Sequence, residues 1–274
     1  TPSDTGVELS LHVTDEHHRV VRVAPDYGAR WFRVVAAAVL IVGIGSVGVW
    51  RHLRIGVASP AREFVAGVAE RTTVTLDDGT RLTLAPASRL RVPENFGRVD
   101  REVMLDGEAA FVVRHDAAHP FEVRTASGVI RDIGTTFVVR DYLTDHEMDV
   151  VVAEGSVSVQ ADTWRPPVVL VHGQRVQLVS GGPPRVTAVD PDQYQSWTTG
   201  RLVFRDAPLR QVVAELARWY DLDISLADPS IGNLRLTTSF TDEPLSEVLD
   251  AVAAALQVKV ERTGRVVTIT PSRR

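Results

Sequence analysis

Residues 71–84, RTTVTLDDGTRLTL, decide the fold class of the larger part of this chain. Apolar and polar residues alternate on both sides of Asp77-Asp78-Gly79, which is the pattern of two antiparallel strands joined by a tight turn. The stretch therefore predicts a β-hairpin made of the strands Arg71–Leu76 and Thr80–Leu84. The same Asp-Asp-Gly sequence could open a calcium loop, but no further Asx ligands or late glutamate follow it at useful spacing.

Short runs of β-branched residues continue from residue 57 to about residue 189, roughly eight to twelve residues apart. No segment of helical period interrupts them. The further predicted strands are Arg101–Leu105, Ala110–Arg114, Phe121–Thr125, Val129–Ile133, Phe137–Arg140, Asp149–Ala153, Ser156–Gln160, Val168–Val171, Arg175–Leu178 and Val186–Val189. We therefore expect one all-β domain over residues 57–190, built as a sandwich, a barrel or a solenoid-like stack.

Residues 191–200 contain Trp197, end in Thr-Thr-Gly and are predicted to be a hinge. Beyond them the hydrophobic period changes to that of helices, and short apolar strands alternate with two amphipathic stripes. The first stripe is Leu209, Val212, Val213, Leu216 and Tyr220; the second is Leu245, Val248, Leu249, Val252 and Leu256. The accompanying strands are predicted at Leu202–Phe204, Ile224–Leu226, Leu234–Phe240, Val258–Glu261 and Val266–Thr270.

Residues 201–274 contain an internal repeat. One series of residues is repeated at a single constant offset: Phe204, Asp206, Pro208 and Leu209 match Phe240, Asp242, Pro244 and Leu245. The repeat predicts a β-α-β unit that occurs twice and forms a small α+β module. Asp206 and Asp242 are expected to cap the two helices, with the prolines in the first turn.

Residues 34–50, VVAAAVLIVGIGSVGVW, contain no charged side chain. As a helix, and extended to Trp31, this stretch spans about 30 Å, the thickness of a bilayer core. A buried helix of a globular core and a signal peptide cleaved near Val57-Ala58-Ser59 are the alternatives. We favour a retained transmembrane helix over residues 31–50, with residues 1–30 as a short cytoplasmic segment and the folded bulk of the chain on the other side of the membrane.

Composition excludes several classes of function. The net charge of −5 and the pI of about 5.9 argue against direct binding to nucleic acid. The chain has no cysteine, which excludes disulfides and thiol catalysis. His115 and His119 are four residues apart, but the following Pro120 favours a loop over a helical metal site. Glu108 and Glu154 each border a glycine and are interpreted as turn residues. We therefore expect no enzyme activity, no metal and no cofactor.

A membrane-anchored chain without catalytic motifs is expected to bind protein partners. Strand edges in the repeat module are suited to strand addition by a partner. The candidate partner-binding residues on these edges are Leu202, Val203, Phe204, Leu234, Leu236 and Phe240. In the predicted membrane helix, Gly43, Gly45 and Gly48 lower helix stability.

Several motifs together resemble the FecR family of anti-sigma regulators. They are residues 73–84 (TVTLDDGTRLTL), 87–90 (ASRL), 101–111 (REVMLDGEAAF), 119–123 (HPFEV), 134–139 (GTTFVV) and the run from Val152 to Val159 around Glu154-Gly155. Residues 197–220, with Gly200, Phe204, Pro208 and Leu209, are similar to the C-terminal portion of that family. The repeat is also similar to the short N-terminal module of secretins and TonB-dependent receptors, the STN module.

The resemblance implies a single-pass inner-membrane protein of cell-surface signalling. Its expected cytoplasmic partner is an extracytoplasmic-function sigma factor. Its expected periplasmic partner is the signalling domain of a TonB-dependent outer-membrane receptor for iron or siderophore uptake. Periplasmic and intramembrane proteases are implied as further partners, and Gly43, Gly45 and Gly48 are then the candidate region for intramembrane cleavage. The family's cytoplasmic domain is longer than residues 1–30; either sequence upstream of Thr1 or loss of that domain would account for the difference.

Two functions therefore stand as hypotheses. The first is a regulator that transmits a periplasmic signal to a sigma factor and controls transcription. The alternative is a membrane-anchored structural or polysaccharide-binding protein of the envelope whose N-terminal segment has no regulatory role.

Overall fold

The computed structural model describes residues 61–161, 166–179, 182–241 and 243–272. These described residues form one compact unit. The predicted cytoplasmic segment 1–30 and the predicted transmembrane helix 31–50 lie outside the described residues, as do Gly43, Gly45 and Gly48. Among the helices in the described ranges, none has the length and hydrophobicity that a bilayer crossing requires.

The described residues are mainly β, as the sequence predicts. The first thirteen strands, in chain order, are β1 Ala61–Ala66, β2 Thr72–Thr75, β3 Arg81–Leu84, β4 Ser88–Pro93, β5 Arg101–Val112, β6 Phe121–Arg124, β7 Val129–Asp132, β8 Thr136–Tyr142, β9 Glu147–Glu154, β10 Ser156–Gln160, β11 Val168–Val171, β12 Gln174–Val179 and β13 Arg185–Ala188. They make up one sheet. The predicted hairpin is confirmed: β2 and β3 are antiparallel and Val74 faces Leu82.

The remaining elements follow β13. They are the helix α1 Pro191–Gln195, a 3-10 turn Ser196–Thr199, β14 Arg201–Pro208, α2 Leu209–Tyr220, β15 Asp223–Leu226, a 3-10 turn Pro229–Asn233, β16 Arg235–Thr241, α3 Leu245–Leu256, β17 Val258–Thr263 and β18 Val266–Pro271. The order strand, helix, strand therefore occurs twice, as the repeat predicts.

The thirteen-stranded sheet is curled, and its two halves share β5. The N-terminal part of β5 pairs with β4 and, in parallel, with β6; its C-terminal part pairs with β3 and β8. The half that contains β8, β9, β12 and β13 is called the second half below. Apolar side chains of both halves form a single core, in which the rings of Phe111 and Phe137 stack with their centroids 5.1 Å apart.

Gly107 allows β5 to change direction between the two halves. Its φ is +109°, and a Cβ atom there would lie 2.4 Å from Oγ of Ser88 on β4. Only glycine combines that backbone conformation with so close an approach. The sequence predicts two separate strands, Arg101–Leu105 and Ala110–Arg114, because the glycine falls between two apolar runs. That prediction was wrong: the glycine bends one long strand and does not end it.

The hairpin turn is held by a buried ion pair. Nε of Arg101 donates to Oδ2 of Asp78 at 2.8 Å, and the backbone N–H of Thr80 donates to the same carboxylate at 2.8 Å. The Arg101 side chain is 5% exposed. The aspartate thus serves the turn, in agreement with the hairpin interpretation of this motif. The strands β1 and β4, which flank the hairpin in sequence, had not been predicted.

The repeat module, residues 201–272, has its own core. β14 and β16 form a two-stranded antiparallel sheet, whereas β15, β18 and β17 form a three-stranded sheet. The two strands of each β-α-β unit therefore lie in different sheets. Both predicted helical stripes point into the core: Leu209, Val212, Leu216, Val248 and Val252 are each 2% exposed or less.

The helix caps differ from the prediction. Pro208 and Pro244 occupy the N-cap positions of α2 and α3, and neither helix start has a side-chain cap. Asp206 lies instead at the irregularity between Phe204 and Ala207 of β14, with φ +49°. The reason is that β14 continues up to Pro208, so the aspartate is still in the strand when the helix begins. Asp242 lies outside the described residues.

Candidate functional site

An ion pair between β8 and α2 joins the repeat module to the sheet. Nη1 of Arg140 donates to Oε2 of Glu215 at 2.5 Å, and Nη2 of Arg140 lies 3.0 Å from Oδ2 of Asp145. The side chains of Arg140 and Glu215 are only 15% and 9% exposed. Trp219, one helical turn after Glu215, donates its indole N–H to Oε1 of that glutamate at 2.7 Å. Both carboxylate oxygens of Glu215 are therefore bonded.

Arg218 completes this junction from α2. Its two terminal nitrogens each donate to a different oxygen of Asp145 at 3.0 Å, which is a bidentate pair. Its guanidinium also lies over the ring of Tyr142, 3.9 Å from the centroid. The Tyr142 hydroxyl in turn donates to the carbonyl of Pro86 at 2.8 Å. We call the set Glu108, Arg140, Tyr142, Asp145, Glu215 and Arg218 the junction network.

Glu108 is the weakly paired member of the junction network. It lies on β5 directly after Gly107 and is 5% exposed. Its nearest cation is Nη1 of Arg140, at 3.5 Å. The pKa of Glu108 is raised to about 8: burial is the main cause, Arg140 opposes it, and the neighbouring Glu215 adds to the rise. Glu108 therefore keeps its proton to a higher pH than an ordinary glutamate does. The interpretation of Glu108 as a turn residue was wrong, whereas Glu154 does lie exposed at the end of β9.

The other two carboxylates of the network behave differently. Burial acts to raise the pKa of Glu215, but Arg140 and Arg218 outweigh it and lower that pKa. The same balance holds for Asp145, where the hydrogen bonds and charge of Arg218 and Arg140 lower the pKa despite burial. Both groups are therefore ionised at neutral pH. The network thus contains two arginines and two ionised carboxylates, with Glu108, whose pKa is raised, beside them.

A second set of contacts fixes the segment between the sheet and the module. Nη1 of Arg71 donates to the carbonyls of Trp197 and Thr198, both at 2.9 Å. The backbone N–H of Ala69 donates to the carbonyl of Arg218 at 2.8 Å. Trp197 is 5% exposed and packs in the core of the repeat module. Residues 191–200, predicted as a hinge, thus contain a short helix and a 3-10 turn that are anchored on both sides.

A cleft of about 500 Å³ lies between the outer face of the second half of the sheet and the module. Its floor is built by β8, β9 and β12, and its opposite wall by α1, β14 and the start of α2. Floor residues include Val138, Arg140, Glu147, Asp149, Val151, Arg175 and Gln177. Nη2 of Arg175 lies 2.7 Å from Oδ1 of Asp149. Burial raises the pKa of Asp149 to about 6, although Arg175 opposes the rise.

The predicted partner-binding residues lie at the module side of this cleft or behind it. Leu202, Phe204, Leu236 and Phe240 are buried in the module core, and Val203 is half-buried. Leu234 is 36% exposed and precedes β16. Leu202 faces Phe240 across the β14–β16 pair. The two strands thus pair with each other along one edge of each, a pairing that the sequence pattern did not indicate. Their role in partner binding stays a prediction.

The described residues offer little for metal or acid–base chemistry. They contain no group of three or more His, Asp or Glu side chains that could hold a metal ion. Nδ1 of His119 lies 3.1 Å from Oδ2 of Asp116, with both side chains well exposed in the loop after β5. The junction network is instead a structural connection between the sheet and the module. Sequence reasoning missed it, and its one local signal was a charge at an otherwise apolar position: Arg140 in β8 and Glu215 in α2.

Glu215→Ala should destabilise the protein by about 2–4 kcal/mol, because the buried Arg140 guanidinium loses its shortest carboxylate contact and the Trp219 N–H loses its acceptor. Urea unfolding of the full chain measures this loss. Glu63→Ala is the matched control, since Glu63 pairs with Arg89 and Arg91 on an exposed surface. This substitution should lower the free energy of unfolding by less than about 1 kcal/mol. Equal effects of the two substitutions would contradict a structural role for the junction.

Glu108→Gln should stabilise the protein at pH 8. Between the ordinary pKa of 4.5 and about 8 the folded protein keeps a proton that the unfolded chain releases, so stability falls as pH rises through this window. An amide avoids that loss, and the expected gain at pH 8 is roughly 1–3 kcal/mol, shrinking towards pH 5. The difference in unfolding midpoint at the two pH values measures it.

The exposed Glu154→Gln is the control and should give no pH-dependent gain. A Glu108→Gln variant that is less stable than the parent at pH 8 would show that the carboxylate form is required in the fold.

Comparison with known proteins identifies the family. The family profile described as FecR protein matches residues 62–158, and the profile described as FecR, C-terminal matches residues 201–269. Two crystal structures of a candidate anti-sigma factor from Parabacteroides distasonis, at 1.65 and 2.50 Å resolution, are each 26% identical to this chain with a TM-score of 0.73. They cover 77% and 78% of this chain, which in turn covers 100% of each of them.

Among curated proteins, none is similar enough to this chain to count as a relative. The two family profiles occur in order and fall on the sheet and on the repeat module. The family is regulatory and acts on sigma factors in signalling. The chain belongs to the FecR family of anti-sigma factors.

Proposed function

We propose that this protein transmits a periplasmic signal across the inner membrane to an extracytoplasmic-function sigma factor and so controls transcription. The observation that carries the proposal is the junction network, which ties the FecR-type sheet and the C-terminal module together through buried ion pairs. A partner that binds either part acts on both. Such a connection suits a protein that relays a contact, and the family's regulatory role points in the same direction.

The proposed layout places residues 1–30 in the cytoplasm, residues 31–50 in the inner membrane and the remainder in the periplasm. Its support is the uncharged stretch at residues 34–50, which has the length of a membrane-spanning helix. The sigma factor is then contacted by the segment on the cytoplasmic side. The C-terminal module receives the signal on the periplasmic side.

The proposed signal is the periplasmic signalling domain of a TonB-dependent outer-membrane receptor, and the proposed target genes serve iron or siderophore uptake. The support is the likeness of the C-terminal repeat to the STN module of such receptors. Release of the sigma factor proceeds through periplasmic and intramembrane proteases. Gly43, Gly45 and Gly48 are proposed to ease unwinding of the membrane helix for the second cut, because glycine weakens a helix.

The junction network gives the relay a physical basis. Arg140 and Asp145 belong to the sheet, whereas Glu215 and Arg218 belong to the module. Separating the two parts would break both ion pairs that cross the interface, Arg140–Glu215 and Arg218–Asp145, in a site that is largely buried. A force or rotation applied to the module is therefore passed to β8 without opening the interface. From β8 it reaches β5 and the rest of the curled sheet through the strand ladder.

A sigma-dependent reporter in cells that express the full chain tests the proposal. Deletion of residues 1–30 should change reporter output at least several-fold and abolish co-purification of the sigma factor. Replacement of Gly43, Gly45 and Gly48 by leucine should slow release of the N-terminal fragment. The exposed substitution Arg98→Glu, in the turn after β4, is the control and should leave reporter output unchanged.

A chain whose residues 1–30 can be removed without any change in reporter output, and which never co-purifies with a sigma factor, is an envelope scaffold and not a regulator.

A further inference from the structure

The cleft between the sheet and the module is bordered by one whole strand. All eight residues of β14, Arg201–Pro208, line it. Successive side chains of a strand point to opposite faces, and Leu202 and Phe204 point into the module core. An uninterrupted run of lining residues therefore means that the cleft meets the edge of β14 and not one of its faces. The opposite edge of β14 is the one paired with β16.

The edge of β14 that faces the cleft carries backbone groups that are available for pairing. Within the described residues β14 belongs to a sheet of two strands, so only one of its edges has a strand partner. An open strand edge is the feature that an incoming extended segment can extend by main-chain hydrogen bonds. A compact small molecule could not form a comparable series of main-chain hydrogen bonds with this strand edge.

The charges around this edge are unbalanced. The carboxylates on the cleft floor are already bonded to arginines, as with Asp149 and Arg175. Arg185 on β13 and Arg201 on β14 have no carboxylate partner among the described residues, and both are exposed. Arg205 lies 4.0 Å from Asp190, at the limit of an ion pair, and its side chain is 62% exposed. On the β14 wall, the exposed Asp206 lies 3.7 Å from Nη1 of Arg235, so the charge left to attract a ligand is positive.

The spacing of side chains along β14 also predicts the residue pattern of the strand that would pair with it. Arg201, Val203 and Arg205 are two residues apart and share the face opposite to the buried Leu202 and Phe204. An opposing strand places its own alternate residues against them, and opposite charges stabilise cross-strand pairs. The matching pattern is an acidic residue, an apolar residue and a second acidic residue at alternate positions.

We propose that this cleft binds an extended acidic segment of a partner protein, which adds to β14 as a strand and sets its carboxylates against Arg185, Arg201 and Arg205. This goes beyond the proposed function by assigning the surface and the chemistry of the incoming segment. The junction network lies at the inner end of the same cleft, where Arg140, Glu108 and Glu215 line it. An added strand would thus contact both the sheet and the module.

Binding of labelled synthetic peptides to the full chain in detergent micelles tests the proposal by fluorescence anisotropy. The probe peptide is Ser-Glu-Thr-Val-Thr-Glu-Ser with blocked ends. A version with lysine in place of glutamate should bind at least tenfold more weakly. A version of the acidic peptide that is N-methylated at alternate residues lacks main-chain hydrogen-bond donors there. It should also bind at least tenfold more weakly.

The double variant R201E/R205E should bind the acidic peptide at least tenfold more weakly than the parent does, and it should bind the lysine peptide more tightly. Its unfolding midpoint should stay near that of the parent because both arginines are exposed. Arg98→Glu reverses the charge of one arginine in the same way, but outside the cleft, and should leave peptide binding unaltered. Unchanged binding of the acidic peptide to the double variant would overturn the proposal. If the N-methylated peptide bound as tightly as the unmodified acidic peptide, strand addition would be overturned.

The assay contains no sigma factor and no membrane signal, so its failure would leave the proposed regulatory function standing. Failure of the reporter experiment would likewise leave the peptide result standing.

Discussion

The ion pair between Arg140 and Glu215 is the contact on which the arrangement of the described residues depends. It connects a strand in the middle of the curled sheet to the first helix of the repeat module at 2.5 Å, and both partners are largely withdrawn from water. Asp145 and Arg218 close the network, so that each buried charge has a partner of opposite sign. Because the pairs Arg140–Glu215 and Arg218–Asp145 both cross from the sheet to the module in a largely buried site, the sheet and the module are held as one body.

The sheet itself sets the position of this network. β5 bends at Gly107, where a side chain would collide with Ser88, and the bend directs the next residue, Glu108, to the junction. The Ser88 hydroxyl accepts from the backbone N–H of Glu108 at 2.9 Å and lies 3.2 Å from the Tyr142 hydroxyl. The bend that lets one strand serve both halves of the sheet thus also places the Glu108 carboxyl beside the ion pairs. Fold and site share the same residues.

Much of the fold could be predicted from local sequence. The hairpin around Asp77-Asp78-Gly79 and the two helical stripes after Pro208 and Pro244 depend on neighbours in the chain, and the structure agrees with them. The continuity of β5 was missed because a glycine between apolar runs usually marks a break. The junction network was missed for a different reason. Arg140 and Glu215 are seventy-five positions apart, and a charge at an apolar position does not disclose its distant partner.

Native-state hydrogen exchange across β8 and α2 tests the central claim most directly, since it reports the free energy at which each element opens. If the junction network makes the sheet and the module one body, the most protected amides of α2 and of β8 should exchange through the same opening. Destabilisation by low concentrations of urea should then move both together. If the amides of α2 exchange through a smaller opening while β8 stays protected, the module opens independently of the sheet and the account is wrong.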